Sequence, residues 1–190
     1  MTKVVYLHGF GSSNQTPKVQ FLLEKFNTTC TIVAPNIPPK AVEAHHMLEQ
    51  MMFDLKQDAE EVVLVGTSLG GFWAHLLGYQ FGCRALLMNP AIKPSQTLRT
   101  FVGTDPFEGY TAAGFTYEDA AEYKDLEGEL DFTEYANTER VVLVEKGDEL
   151  LDTEATYTAY HTNSKVVMIE GGNHRFQSMD LFEHHLRELL

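Results

Sequence analysis

The pentapeptide Gly66-Thr67-Ser68-Leu69-Gly70 constrains this chain more than any other feature. It follows the apolar β-branched run VVLV at 62–65 and precedes FWAHLLGYQF at 72–81, which has helical character. A strand must therefore become a helix within about one residue, with a serine at the corner. Such a corner forces strained backbone angles on the serine and crowds its neighbours against adjacent strands, so the flanking positions must be glycine. The turn leaves the serine hydroxyl exposed and aims the first helical N–H groups at any negative charge that develops nearby. Ser68 is thus the candidate nucleophile, and the N–H of Leu69 one candidate oxyanion donor.

The rest of the chain supplies the sheet that such a corner needs. Apolar runs at 4–7, 31–34, 62–66, 85–88, 141–145 and 165–169 are continuous rather than alternating, as in strands covered on both faces. Between them Val19, Leu22, Leu23 and Phe26 form one helical stripe, and Met47, Leu48, Met51, Met52 and Leu55 another, core rather than cofactor pocket. A third stripe, at 181–190, includes Leu186, Leu189 and Leu190. Alternation of this kind predicts a mostly parallel six-stranded sheet, order about 2-1-3-4-5-6, with helices on both faces. At 190 residues a single domain spanning 1–190 is expected. The segment 93–138 is too long for a plain connection and is expected to form a cap over the site.

Composition narrows the partners. A formal net charge of −13 disfavours nucleic acid and anionic membranes. The acidic stretch 118–139 reads as a solvated face. No apolar run approaches the length of a membrane span, and the first ten residues read as a strand instead of a signal peptide. Cys30 and Cys83 are expected to be buried free thiols of a cytoplasmic protein. No metal site is expected: His45, His46, His184 and His185 lie in helical runs as packing or surface residues. His75 falls in the helix after the corner, and His161 ends another.

Three further motifs stand at the ends of strands. His8-Gly9-Phe10-Gly11 closes the first, where the Phe10 N–H is placed to be the second oxyanion donor. If strands 1 and 3 lie side by side with their helices on opposite faces, both glycine loops open at the crevice where open sheets bind ligands. His8 reads as a hydrogen-bonding residue of that loop. Gly171-Gly172-Asn173-His174 follows the last strand and offers His174 as the base a serine requires. Gly147-Asp148-Glu149-Leu150-Leu151-Asp152 follows the fifth strand and offers the carboxylate that orients the base. Asp148, first after the strand, is preferred over Asp152, which suits a helix cap, and over Glu149. The order Ser68, Asp148, His174 is that of α/β-hydrolases.

The blocks YLHGFGSS at 6–13, GTSLGGFWA at 66–74, NPA at 89–91, GDELLD at 147–152 and EGGNHRF at 170–176 resemble the YqiA/YcfP group of small bacterial α/β-hydrolases. The resemblance implies a minimal α/β-hydrolase fold lacking the first strands of the larger one. It also implies a cytoplasmic, cofactor-free carboxylic-ester hydrolase in which Ser68, Asp148 and His174 match the triad positions. Asn89, Pro90 and Ala91 would then line the site beneath the cap, with His8 and Gly9 also beside the substrate.

A small-molecule ester is therefore the expected substrate, with short to medium acyl chains, and a thioester the alternative. Phe10, Phe72, Trp73, Phe101, Phe107, Tyr110 and Phe115 are the candidate acyl-site aromatics. A non-catalytic ligand-binding protein on the same fold is a further alternative, but a binding protein has no need of a complete triad. Nucleotide binding fits poorly. Asn14 stands where a GxGxxG needs its third glycine, and Phe72 where a P-loop needs lysine. Oligomeric state is not legible.

Overall fold

The computed structural model describes residues 1–59, 61–104, 114–130, 132 and 139–190. Six strands, β1 (Lys3–Leu7), β2 (Thr31–Val33), β3 (Val62–Thr67), β4 (Arg84–Met88), β5 (Arg140–Glu145) and β6 (Lys165–Ile169), form one sheet in the order β2-β1-β3-β4-β5-β6. All five pairings are parallel. The central β3 is buried along its whole length, as its uninterrupted apolar sequence requires.

Successive side chains of each strand feed opposite faces. Val5, Leu7 and Leu64 pack with α2 (Ala41–Asp58), α3 (Leu69–Phe81) and α5 (Tyr117–Glu129). Val4, Tyr6, Val63 and Val65 pack on the other face with α1 (Pro17–Phe26) and α7 (Met179–Leu189). The helices after β1 and β3 therefore leave on opposite faces while the two strands pair side by side, Leu7 opposite Gly66. That reversal opens the crevice at the carboxyl ends of the strands.

Local signals set most helix ends. Thr16 caps α1 by accepting from the Val19 N–H, with Pro17 at the first helical position. Leu48 and Met52 of α2 are fully buried, core residues as the stripe predicted. Leu23 is an exception, 41% exposed although it shares a stripe with Leu22 and Phe26. On α1 those two and Val19 already cover the sheet.

Within 93–138, a short helix α4 (Pro94–Thr97) continues into a 3₁₀ turn (Leu98–Phe101), and α5 follows. The helix α5 thus runs through the first half of the acidic stretch. The acidic face of α5 is not wholly solvated. Asp119 completes a capping box with Thr116, and Glu127 accepts from the Ser95 N–H. Glu127 thereby ties α5 to α4. Phe107 and Tyr110 lie outside the described residues. The free cysteines Cys30 and Cys83 are buried. Among the described residues no helix is long and apolar enough to cross a membrane.

Candidate active site

Ser68 sits between β3 and α3 with φ 56° and ψ −120°, a conformation that a non-glycine residue adopts only under strain. Its surroundings explain the glycines. A Cβ on Gly66 would lie 2.0 Å from the Gly70 carbonyl oxygen, and one on Gly70 would lie 1.9 Å from that of Leu7. The corner is held by backbone bonds: Ser68 N–H donates to Met88 at 3.0 Å, and its carbonyl accepts from Gly71 and Ala91.

His174 meets the serine from the far end of the chain. Its Nε2 lies 2.9 Å from Ser68 Oγ. On the other side of the ring, Nδ1 lies 3.0 and 2.9 Å from the two Asp148 oxygens. An ionised carboxylate can only accept, so Nδ1 carries the proton and Nε2 presents its lone pair to the serine hydroxyl. Asp148 is all but sealed from solvent, its side chain 1% exposed. Its Oδ1 also accepts from the N–H groups of Leu150 and Leu151, at 2.8 and 2.9 Å. The carboxylate is therefore fixed before it meets the ring. Asp152 instead caps α6 (Thr153–Tyr160) through the Ala155 N–H, and Glu149 accepts from the His174 backbone N–H at 3.0 Å.

Two residues that sequence reasoning passed over position the base loop. Glu145, the last residue of β5, is fully buried. One oxygen accepts from the Gln177 and Ser178 N–H groups and the Ser178 hydroxyl, at 2.8, 2.8 and 2.6 Å. The other accepts from Asn173 N–H at 2.9 Å. An acid closing the apolar run 141–144 was the available signal. Lys18, in the first turn of α1, donates from Nζ to the Arg175 carbonyl at 2.5 Å.

Three residues expected to line the substrate site do other work. Asn89 is buried and bridges backbone: its amide donates to the Asn173 and His174 carbonyls and its oxygen accepts from Glu145 N–H. Asn89 has φ 42°, a left-handed conformation that asparagine tolerates. Pro90 packs where a Cβ on Gly71 would fall, leaving Ala91 as the cavity-lining member of that triplet. His8 accepts from Ile37 N–H at Nε2, so its Nδ1–H donates to the Gly9 carbonyl. Burial holds the His8 imidazole below its ordinary pKa, outweighing that bond.

Gly9 does reach the site. A Cβ there would come within 3.3 Å of Ser68 Cβ, so the first loop passes in van der Waals contact with the serine. That approach brings Phe10 beside Leu69, whose N–H occupies the first helical position and has no intrahelical acceptor. The Phe10 ring packs against Phe101 and Phe115, at 5.6 and 4.8 Å between centroids. Phe72 and Trp73 are instead fully buried in the core beneath α5, packed against Tyr123.

A cavity of about 630 Å³ opens over Ser68 and His174. Phe10, Phe21, Leu98, Phe101, Phe176 and Met179 give it an apolar wall, and α4 with its 3₁₀ turn forms part of the rim. A volume in this range suits a small organic molecule. Among the described residues, His184, His185 and Glu188 bring metal-ligand atoms within 4.8 Å of one another. The Lys165 ammonium already stands 3.0 Å from Glu188 and 3.4 Å from the His185 ring, supplying the positive charge a metal would bring.

Comparison with known proteins agrees with this architecture. Residues 3–190 match the model of an uncharacterised protein family, UPF0227. A UPF0227 protein of Serratia proteamaculans is 23% identical over 180 residues, 93% of this chain and 92% of the relative. One from Yersinia pseudotuberculosis is 25% identical over 178 residues, again 93% and 92%. Among solved structures, an esterase of Pyrococcus furiosus superposes with TM-score 0.72 at 17% identity, covering 100% of this chain and 80% of that one. The Est1E structure from Butyrivibrio proteoclasticus gives 0.72 at 15%, covering 98% and 85%. These likenesses show the α/β-hydrolase fold.

Proposed function

Because the chain belongs to the uncharacterised protein family UPF0227, we propose for it a chemistry that its own site supports: hydrolysis of carboxylic esters through Ser68, His174 and Asp148. The observation that carries this reading is the unbroken hydrogen-bond line from Asp148 through the His174 ring to Ser68 Oγ. His174 Nε2 removes the hydroxyl proton as Ser68 Oγ bonds to the acyl carbon. The N–H groups of Phe10 and Leu69 hold the resulting oxyanion. Collapse breaks the ester C–O bond, and the leaving alkoxide takes the proton from His174. Water then attacks the acyl-serine, again losing its proton to His174, and the acid departs with Ser68 restored.

Within 93–138, α4, its 3₁₀ turn and Phe115 serve as the cap, since they line the cavity or pack on Phe10 above it. Short to medium acyl chains fit a cavity of about 630 Å³. The same machinery would act on a thioester. The decisive experiment is labelling with a fluorophosphonate and mapping the modified peptide, together with hydrolysis of p-nitrophenyl butyrate. Ser68→Ala should abolish labelling and lower kcat by about 10⁴-fold or more with the melting temperature retained. Turnover that survives in this variant would reject the mechanism.

A further inference from the structure

The fixed charges on the cavity wall have one sign. Among the described residues that line it, those with permanent charge are Lys18 and Arg175, both cations, in a chain whose formal net charge is −13. They arrive from opposite ends of the sequence. Lys18 comes from the start of α1 and Arg175 directly follows His174, and the hydrogen bond from Lys18 Nζ to the Arg175 carbonyl clamps the two segments together.

The two cations lie close enough to feel each other. Burial draws the Lys18 ammonium below its ordinary pKa, and the Arg175 charge presses it the same way, against the opposing pull of Glu145. Glu145 is already committed, since its oxygens accept from four donors of the 173–178 loop. Two cations on the wall of one cavity present donors that a bound anion can accept from together.

We propose that the substrate of Ser68 carries an anionic group, a carboxylate or a phosphate, bound by Lys18 and Arg175 while its apolar part lies along Phe10, Leu98 and Phe101. This deepens the ester-hydrolase reading and rests on it.

The test compares esters that differ only in charge. Rates on p-nitrophenyl butyrate and the p-nitrophenyl monoester of glutaric acid place the charge at the acyl end. Monobutyrin and butyryl-glycerol phosphate, followed by acid release, place it at the alcohol end. The charged member of at least one pair should be favoured in kcat/KM by about tenfold at low salt, and that preference should shrink as salt screens it. Which pair responds tells an acyl-end carboxylate from an alcohol-end phosphate. Lys18→Met should collapse the charged-to-neutral ratio, and Lys18→Arg should keep it. The ratio cancels any general damage to the base loop.

A ratio of one or less for both pairs, with the neutral esters still hydrolysed, overturns the anion site and leaves the esterase reading standing. A preference unchanged in Lys18→Met overturns the assignment to these residues. Failure of every ester, with no fluorophosphonate adduct on Ser68, overturns both readings.

Discussion

Gly147 and Gly171 lie against each other, the N–H of one donating to the carbonyl of the other at 2.7 Å. This bond joins the loop after β5 to the loop after β6, and so brings Asp148 to His174. Nothing larger than glycine fits at 147, because a Cβ there would stand 2.4 Å from the Gly172 carbonyl oxygen. The distance between acid and base is thus set by backbone contact, with the side chains completing what the loops arrange.

The first expectation concerns the acid. Asp148→Asn should leave the fold intact and cut kcat on a p-nitrophenyl ester by about 10³–10⁴-fold, because an amide no longer enforces one imidazole tautomer. Asp152→Asn, altering only the cap of α6, should change the rate less than about threefold. Equal losses in the two variants would refute the assignment.

Glu145→Ala should cost stability through the four donors it strands. A fully buried donor left without an acceptor costs about 1–3 kcal/mol, and these four are only partly buried, so a total of roughly 3 kcal/mol is expected. For a chain of this size that corresponds to a fall in Tm of about 6–12 °C. Calorimetry showing a shift under 2 °C would remove Glu145 from its organising role.

Substituting alanine at two glycines should give opposite results. Gly70→Ala drives a Cβ into the Leu7 carbonyl and should destabilise by about 3 kcal/mol, the upper range for overpacking. Gly128, on an exposed turn of α5, has nothing within 4 Å of the added atom. Gly128→Ala should stabilise by about 0.5 kcal/mol through helix propensity. Urea midpoints of the two variants make the comparison.

Asp119 supplies a pH signature. Burial raises its pKa, but the Thr116 hydrogen bonds and Lys40, 3.3 Å away, outweigh burial and hold the carboxyl below its ordinary value. A depressed carboxylate stabilises the fold above the ordinary carboxylate range and loses that contribution as pH falls through the folded-state pKa. Asp119→Asn should therefore melt below the wild type at pH 7, by about 1 kcal/mol, with the gap closing below roughly pH 4. A gap independent of pH would contradict this account.

The residues differ in how far sequence could place them. Ser68 and its glycines were legible because a strand-to-helix corner writes its signature in five consecutive positions, although the crowding at Gly70 comes from the distant Leu7 carbonyl. The sheet order was legible because continuous apolar strands separated by helices admit few arrangements. Asn89 was expected beside the substrate, and its side chain is found bridging backbone groups. A polar residue after a strand looks alike whether it faces a ligand or two distant carbonyls, and here it faces the carbonyls of Asn173 and His174.

By itself, then, the chain's linear pattern determined the fold class, the strained serine and the loops from which a base and an acid could come. Backbone sterics and hydrophobic period act between near neighbours and are written there. Only the tertiary structure decided that Glu145 holds the base loop and that Lys18 and Arg175 share one wall. Both outcomes join groups more than twenty residues apart in the chain, and a buried acid such as Glu145 is too costly to leave without donors.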